Sequence, residues 1–225
     1  MRASTALASL VLLASLAGRA ADPPPPPGIP AQNEGTVTVL GGARLIPQGG
    51  FLDDQEAAGY RPWKTLVEPA GLLQLGYAPE PDFNIGLTLG YALNNIHLSA
   101  GLLAVRSFTI LVGADAPFLR RPWGTFYGGG GIGYSLNTLS QSGNNVESNS
   151  TAAYVCLGAR FPLTERFALV IEDRYTLSYA SLPGPSGPLV YAGTAGSLNV
   201  GGNTFSIGLM FHYTDSEESK RPRHP

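Results

Sequence analysis

From Thr36 to Tyr213 the chain alternates between large apolar residues and small or polar ones. Phe83, Ile85, Leu87, Leu89 and Tyr91 occupy one parity, and Asn84, Gly86, Thr88, Gly90 and Ala92 the other. Successive side chains of an extended strand point to opposite faces, so a period of two predicts a strand with one apolar face. The same split recurs around Val37–Leu45, Leu73–Tyr77, Phe108–Ala114, Phe126–Leu136, Ala153–Phe161, Phe167–Leu177 and Phe205–Tyr213, giving eight segments of about ten residues.

Which face is inside decides the environment. A soluble barrel packs its bulky side chains inward and shows charged ones to water, whereas a barrel in lipid inverts the arrangement. Here the second face is mostly Gly, Thr, Ser, Ala and Asn, without the Lys and Glu that cover a water-exposed surface. It suits the interior of a narrow barrel. Ten residues at about 3.3 Å each, tilted near 45°, span roughly the 25 Å apolar thickness of a membrane. Aromatics at or near strand ends (Tyr77, Phe83, Tyr91, Phe126, Phe161, Phe167, Tyr213) fit interfacial girdles. The expected connections, 47–69, 79–82, 93–103, 118–124, 138–151, 162–166 and 179–202, alternate long and short. Long loops on one side and tight turns on the other complete the expectation of an all-β protein, an eight-stranded antiparallel up-and-down transmembrane β-barrel over 36–213.

Composition narrows the class further. Charged residues are 13% of the chain, 29 glycines and 19 prolines disfavour a helical fold, and a net charge of −2 gives no basic footprint, so no nucleic-acid partner is expected. The single cysteine, Cys156, excludes an internal disulfide and any multi-cysteine metal site. It falls on the inward parity and reads as a small packed residue. Residues 1–21 combine a positive start, a short apolar run and small residues at Gly18 and Ala20, the pattern of a cleavable secretory signal. Residues 22–35 contain Pro23–Pro27, an extended spacer that cannot pair in a sheet, and 214–225 form a polar tail.

The last strand carries a more specific pattern: a polar residue, any residue, glycine, two more, then aromatic, any, aromatic. Here it reads Ser206-Ile207-Gly208-Leu209-Met210-Phe211-His212-Tyr213. With this segment the region 36–213 resembles the OmpA-type eight-stranded outer-membrane barrel proteins, in which such a strand is the assembly signal; Ser206, Gly208, Phe211 and Tyr213 would fill that role. Members of the family mostly end at the last aromatic, whereas twelve residues follow it here. The resemblance implies a bacterial outer membrane, both termini periplasmic, contact with outer-membrane lipid, insertion by the barrel-assembly machinery and envelope proteins as partners.

Five charges fall on the inward face: Arg44, Asp115, Arg160, Glu172 and Arg174. Unpaired charges in a narrow interior cost several kcal/mol each, so an internal salt-bridge network is expected, centred on Glu172 and Arg174. Asp173 falls on the lipid parity, which calls for either a bulge or a place near an interface. In the first long loop Phe51, Leu52, Tyr60, Arg61 and Trp63 mix aromatic and charged character, making it the best candidate for a surface binding loop, or equally a cover for the barrel mouth. The Ser/Asn/Gln-rich stretch 138–150 and the Gly/Ser/Pro-rich stretch 179–202 read as surface loops. The Gly128–Gly131 run lacks the lysine and helix of a phosphate loop and reads as room for inward side chains.

The resulting expectation is a non-enzymatic barrel with a structural or envelope-assembly role, for instance as the barrel subunit of a motility or secretion machine, with no cofactor, metal or catalytic residues. Two alternatives stay open. One is a small ion or solute channel gated by the internal salt bridges. The other is a lipid-modifying enzyme, since small barrels that deacylate lipid A use a His and Ser pair, and His97 is followed by Ser99.

Overall fold

The computed structural model describes residues 32–45, 51–57, 59, 63–64, 67–98, 101–183, 187–190 and 196–214. The expected signal (1–21), the proline run and the tail beyond Thr214 lie outside these residues. The elements are β1 (Glu34–Leu45), α1 (Phe51–Ala57), β2 (Trp63–Lys64), β3 (Val67–Glu80), β4 (Phe83–Leu98), β5 (Gly101–Arg121), β6 (Gly124–Gln141), β7 (Asn144–Pro162), β8 (Phe167–Ser181), β9 (Ser197–Asn199) and β10 (Gly202–Thr214).

Eight of the strands close a ring. Antiparallel pairing runs β1–β3–β4–β5–β6–β7–β8, and β10 bonds to both β8 and β1, leaving no open edge around the barrel. The chain thus forms an all-β, eight-stranded antiparallel up-and-down barrel. β1 starts and β10 stops at one end, called here the lower end. Its connections, 81–82, 122–123 and 163–166, are short, as expected.

The other end differs from expectation. The segments 93–103 and 138–151, expected as long loops, are strand almost throughout: β4 and β5 are separated only by 99–100, and β6 and β7 only by 142–143. β5, β6 and β7 reach 21, 18 and 19 residues, where about 9 to 11 suffice to cross a bilayer. The polar residues of these stretches are therefore the upper part of a strand crown standing beyond the apolar band. The tight upper hairpin is supported by Ser142 and Gly143, with φ of 51° and 86°, the positive pair that a two-residue turn between twisted strands requires.

The last expected loop also does more than cover the surface. β9 pairs with β8 at Tyr179↔Asn199, and Leu182, Leu189, Leu198 and Val200 are buried in an apolar cluster with Ile96, Leu103, Val105 and Leu139 from the crown. The short helix α1 drops Phe51 into the same cluster, and Gln55, one turn on and on the same face, is buried as well.

The parity assignment holds around the ring. Val112, Ile132, Leu157, Ile207 and Leu209 are exposed on the outside, and Thr36, Thr38, Thr88, Thr109, Thr176, Thr204 and Ser206 are buried inside. Outward aromatics recur eight residues apart, at Phe83 and Tyr91 on β4, Phe126 and Tyr134 on β6, and Phe167 and Tyr175 on β8. Eight residues at about 3.3 Å along a tilted strand separate the two rings by roughly 20 Å of depth, close to the apolar thickness of an outer membrane once the rings themselves are counted. Trp123 thickens the lower ring, edge-on to Phe126 at 5.6 Å and stacked with Phe161 at 6.0 Å. Among the described residues no helix is long and apolar enough to cross a membrane.

Candidate functional site

The buried charges of the barrel strands point into the lumen, so the site is built from inward positions. The middle of the lumen is a polar chain that crosses from wall to wall. Asn84 Nδ2 donates to Asp115 Oδ2 at 2.8 Å, and Asp115 Oδ1 accepts from Arg160 Nη2 at 2.7 Å. The Arg160 guanidinium lies over the Tyr127 ring at 3.9 Å, and the Tyr127 hydroxyl donates to Glu172 Oε2 at 2.9 Å. Glu172 Oε1 accepts from Arg174 Nε and Nη2, both at 2.9 Å, while Gln74 Nε2 donates to both carboxylate oxygens at 3.2 and 3.3 Å. Arg174 in turn covers the Tyr154 ring at 4.2 Å.

Six strands contribute to this layer: β3, β4, β5, β6, β7 and β8. Its formal charges cancel, two carboxylates against two guanidiniums. Glu172, Arg174 and Arg160 are at most 4% exposed, so the layer is tolerable only because nearly every charge has a partner; the attraction offsets a desolvation cost of several kcal/mol per ion.

Glycines make space for the two tyrosines. A Cβ on Gly158 would lie 2.7 Å from Tyr127 Cε1, and one on Gly131 would lie 2.7 Å from Tyr154 Cε1. Cys156, buried beside the layer, is a free thiol.

Of the five inward charges singled out from the sequence, four meet in this layer. Arg44 does not. It lies higher, near the end of β1, 5% exposed, with Nε and Nη1 lacking a hydrogen-bond partner. The carboxylate opposite it in register, Glu68, accepts instead from the Asn95 backbone N–H at 3.3 Å and Nδ2 at 3.2 Å. There β3 pairs with β4 only up to Ala70↔Ala92, and Glu68 serves the backbone beyond the last bonded pair. Tyr127, Tyr154, Gln74 and Asn84 were not singled out from the sequence. The signal available was their inward parity: Tyr127 is followed on its face by Gly129, Gly131 and Gly133, and Tyr154 by Cys156 and Gly158.

Side chains occupy the described lumen at successive heights. At the lower end His212 Nδ1 faces Glu34 Oε2 at 3.8 Å, and Arg120 at the end of β5 pairs with Asp82 on the turn before β4. The ion-paired layer fills the middle. Above it a ladder of Ser135, Asn137, Ser150 and Ser178 links β6, β7 and β8, with Asn137 Nδ2 donating to Ser148 O at 2.9 Å and to Ser150 Oγ at 3.0 Å. The apolar cluster with Phe51 closes the top. Among the described residues, cavities of about 30 and 20 Å³ lie below and above the level of Arg174, each with room for about one or two waters.

Other expectations resolve as follows. Phe51 is buried, and its ring completes the apolar cluster at the mouth, as the alternative of a cover for the barrel mouth would have it. Tyr60, Arg61 and the side chains of Leu52 and Trp63 lie outside the described residues. Asp173 keeps the outward parity with no bulge, between Leu157 and Phe205 in register and one outward position below Tyr175, beside the upper aromatic ring. His97 is on the outward parity of β4 opposite Leu102, and Ser99 lies outside the described residues. In the closing strand Ser206 is inward and donates to Glu172 O at 3.2 Å, Gly208 packs against β1, and Phe211 and Tyr213 join the lower ring, Phe211 packing on Phe167 at 5.2 Å. Among the described residues no cluster of three or more His, Cys, Asp or Glu could hold a metal.

Two solved structures share this architecture. The outer membrane protein OprG from Pseudomonas aeruginosa superposes with a TM-score of 0.55 at 14% identity, covering 82% of this chain and 98% of that one. Neisserial surface protein A superposes with a TM-score of 0.51 at 14% identity, covering 79% and 96%. At that identity the likeness is one of fold: that of small outer-membrane barrels. No protein-family model matches the chain, and no curated protein matches it significantly.

Proposed function

We propose that this chain is an integral protein of a bacterial outer membrane, with both termini periplasmic, that acts as a closed, non-enzymatic structural barrel in the envelope. Its crown offers a rigid surface on the outside, and the segments flanking the barrel face the periplasm, where a partner in a larger envelope assembly would engage them. The observation that carries the reading is the pairing of an outward apolar band between two aromatic rings with a lumen occupied by side chains at successive heights. The first supports a barrel standing in lipid, because exposing that much contiguous apolar surface to water favours aggregation. The second argues for a post in preference to a pore, as an eight-stranded interior is just wide enough to be filled by side chains.

Fractionation and conductance test the reading together. The protein is expected in the outer-membrane fraction, where unboiled and boiled samples migrate differently because the closed barrel survives detergent until heated. Purified and inserted into a planar bilayer, it is expected to leave the membrane insulating. A soluble periplasmic protein with no heat-dependent shift would reject the location, and reproducible ion-selective steps would reject the closed lumen in favour of a gated channel.

A further inference from the structure

We propose that the upper lumen cavity is a binding site for a small monovalent anion of chloride's size, held chiefly by Arg44. The cavity lies between the ion-paired layer and the apolar plug; half of its lining is apolar, with Leu72 and Leu111 among it, and the charged and hydroxyl groups set in that lining are all suited to donate hydrogen bonds. Arg44 and Arg174 present guanidiniums, and Ser107, Thr109, Thr176 and Thr204 present hydroxyls; no carboxylate lines it.

Charge balance points the same way. Below the cavity Asp115 is matched by Arg160 and Glu172 by Arg174, so the layer has no negative charge to spare. Arg44 Nε and Nη1, Arg174 Nη1 and Ser107 Oγ are all buried without a partner. Glu68, buried and opposite Arg44 in register, balances its charge formally, but it accepts from Asn95 and does not line the cavity. A guanidinium does not escape burial by losing its proton, so the donors that Glu68 leaves unmet call for an acceptor in the cavity.

The chemistry of the lining selects the guest. Two guanidiniums repel a cation, and hydroxyls can turn their protons toward an anion, as they would toward no metal ion. At about 20 Å³ the space suits a monatomic ion, since a cavity of roughly 10 to 15 Å³ holds one water. A lipid phosphate is too large and tethered outside the wall. The site rests on the geometry of the lumen and not on the envelope role proposed above, so either can fail without the other.

The test is the thermal unfolding of the purified barrel in detergent, in sodium chloride, sodium bromide and sodium gluconate at matched ionic strength. A ligand that binds only the folded state raises its stability with concentration until the site fills. The midpoint is expected to rise saturably with chloride or bromide and to stay flat in gluconate, and Arg44→Met is expected to abolish the response. Equal midpoints in all three salts, or an undiminished response in Arg44→Met, would overturn the proposal. Should Arg44→Met fail to fold, crystals of the unaltered protein grown in bromide decide the matter. An anomalous peak within hydrogen-bond distance of the Arg44 guanidinium supports the site, and a water there with no anomalous signal overturns it.

Discussion

Glu172 is the residue on which the middle of the lumen turns. It accepts from Arg174, Tyr127 and Gln74, which lie on three different strands. Glu172→Gln keeps the shape but leaves Arg174 buried without a carboxylate, and removal of one partner of a buried pair costs about 3 to 5 kcal/mol. A clear fall in the urea midpoint of the folded barrel is therefore expected. The double variant Glu172→Leu/Arg174→Leu removes both charges and should recover most of that loss. If the double variant is no better than the single one, the charge balance is not what holds the layer. At this scale the sequence was informative about direction and led to the expectation of a network centred on Glu172 and Arg174, but not to its geometry. Parity alone put Arg44, Asp115, Arg160, Glu172 and Arg174 inside. It did not show that Arg160 and Glu172 are bridged by Tyr127, or that Arg44 stands above them, because height in the lumen depends on the stagger between strands, which alternation does not encode.

Among the elements, the strands were legible and their lengths were not. The stretches 93–103 and 138–151 contain Asn, Ser and Gln at a density that reads as loop, yet the period of two continues through them. Leu103, Val105 and Leu139 point into the crown, while Arg106, Thr138 and Glu147 point out. Above the membrane the outside of a strand meets water, so the outward face turns polar and the inward face apolar, the reverse of the arrangement lower down. A single rule for the apolar face therefore ends each strand where the surroundings change. α1 was hidden for a related reason: seven residues are too few for a helical periodicity, and Phe51 declares itself only by packing against distant parts of the chain. Phe51→Ala should cost about 3 to 5 kcal/mol locally, the usual range for emptying an aromatic site in a core. Hydrogen exchange is expected to accelerate in β9 and the top of β8 while the strands between the aromatic rings stay protected. Uniform acceleration along the whole of β8 would mean that the plug is not a separate unit.

For the molecule as a whole, the account rests on the inversion of inside and outside. The sequence pointed to this inversion through the scarcity of charge on the small-residue face, and the chain shares the fold of OprG, an outer membrane protein. The decisive measurement is the collision of spin labels with oxygen, which concentrates in lipid, and with a water-soluble nickel chelate. Labels would be attached one at a time to cysteines at Val112, Ile132, Leu209 and Glu147, in a Cys156→Ala background, with the protein in liposomes. Val112, Ile132 and Leu209, at 62%, 72% and 51% exposure on the outer wall between the rings, are expected to meet oxygen freely and nickel hardly at all. Glu147, outward on the crown, should show the opposite. If the chelate reaches Ile132 and Leu209 as readily as Glu147, the apolar wall faces water or another protein, and the account of a barrel standing in lipid is wrong.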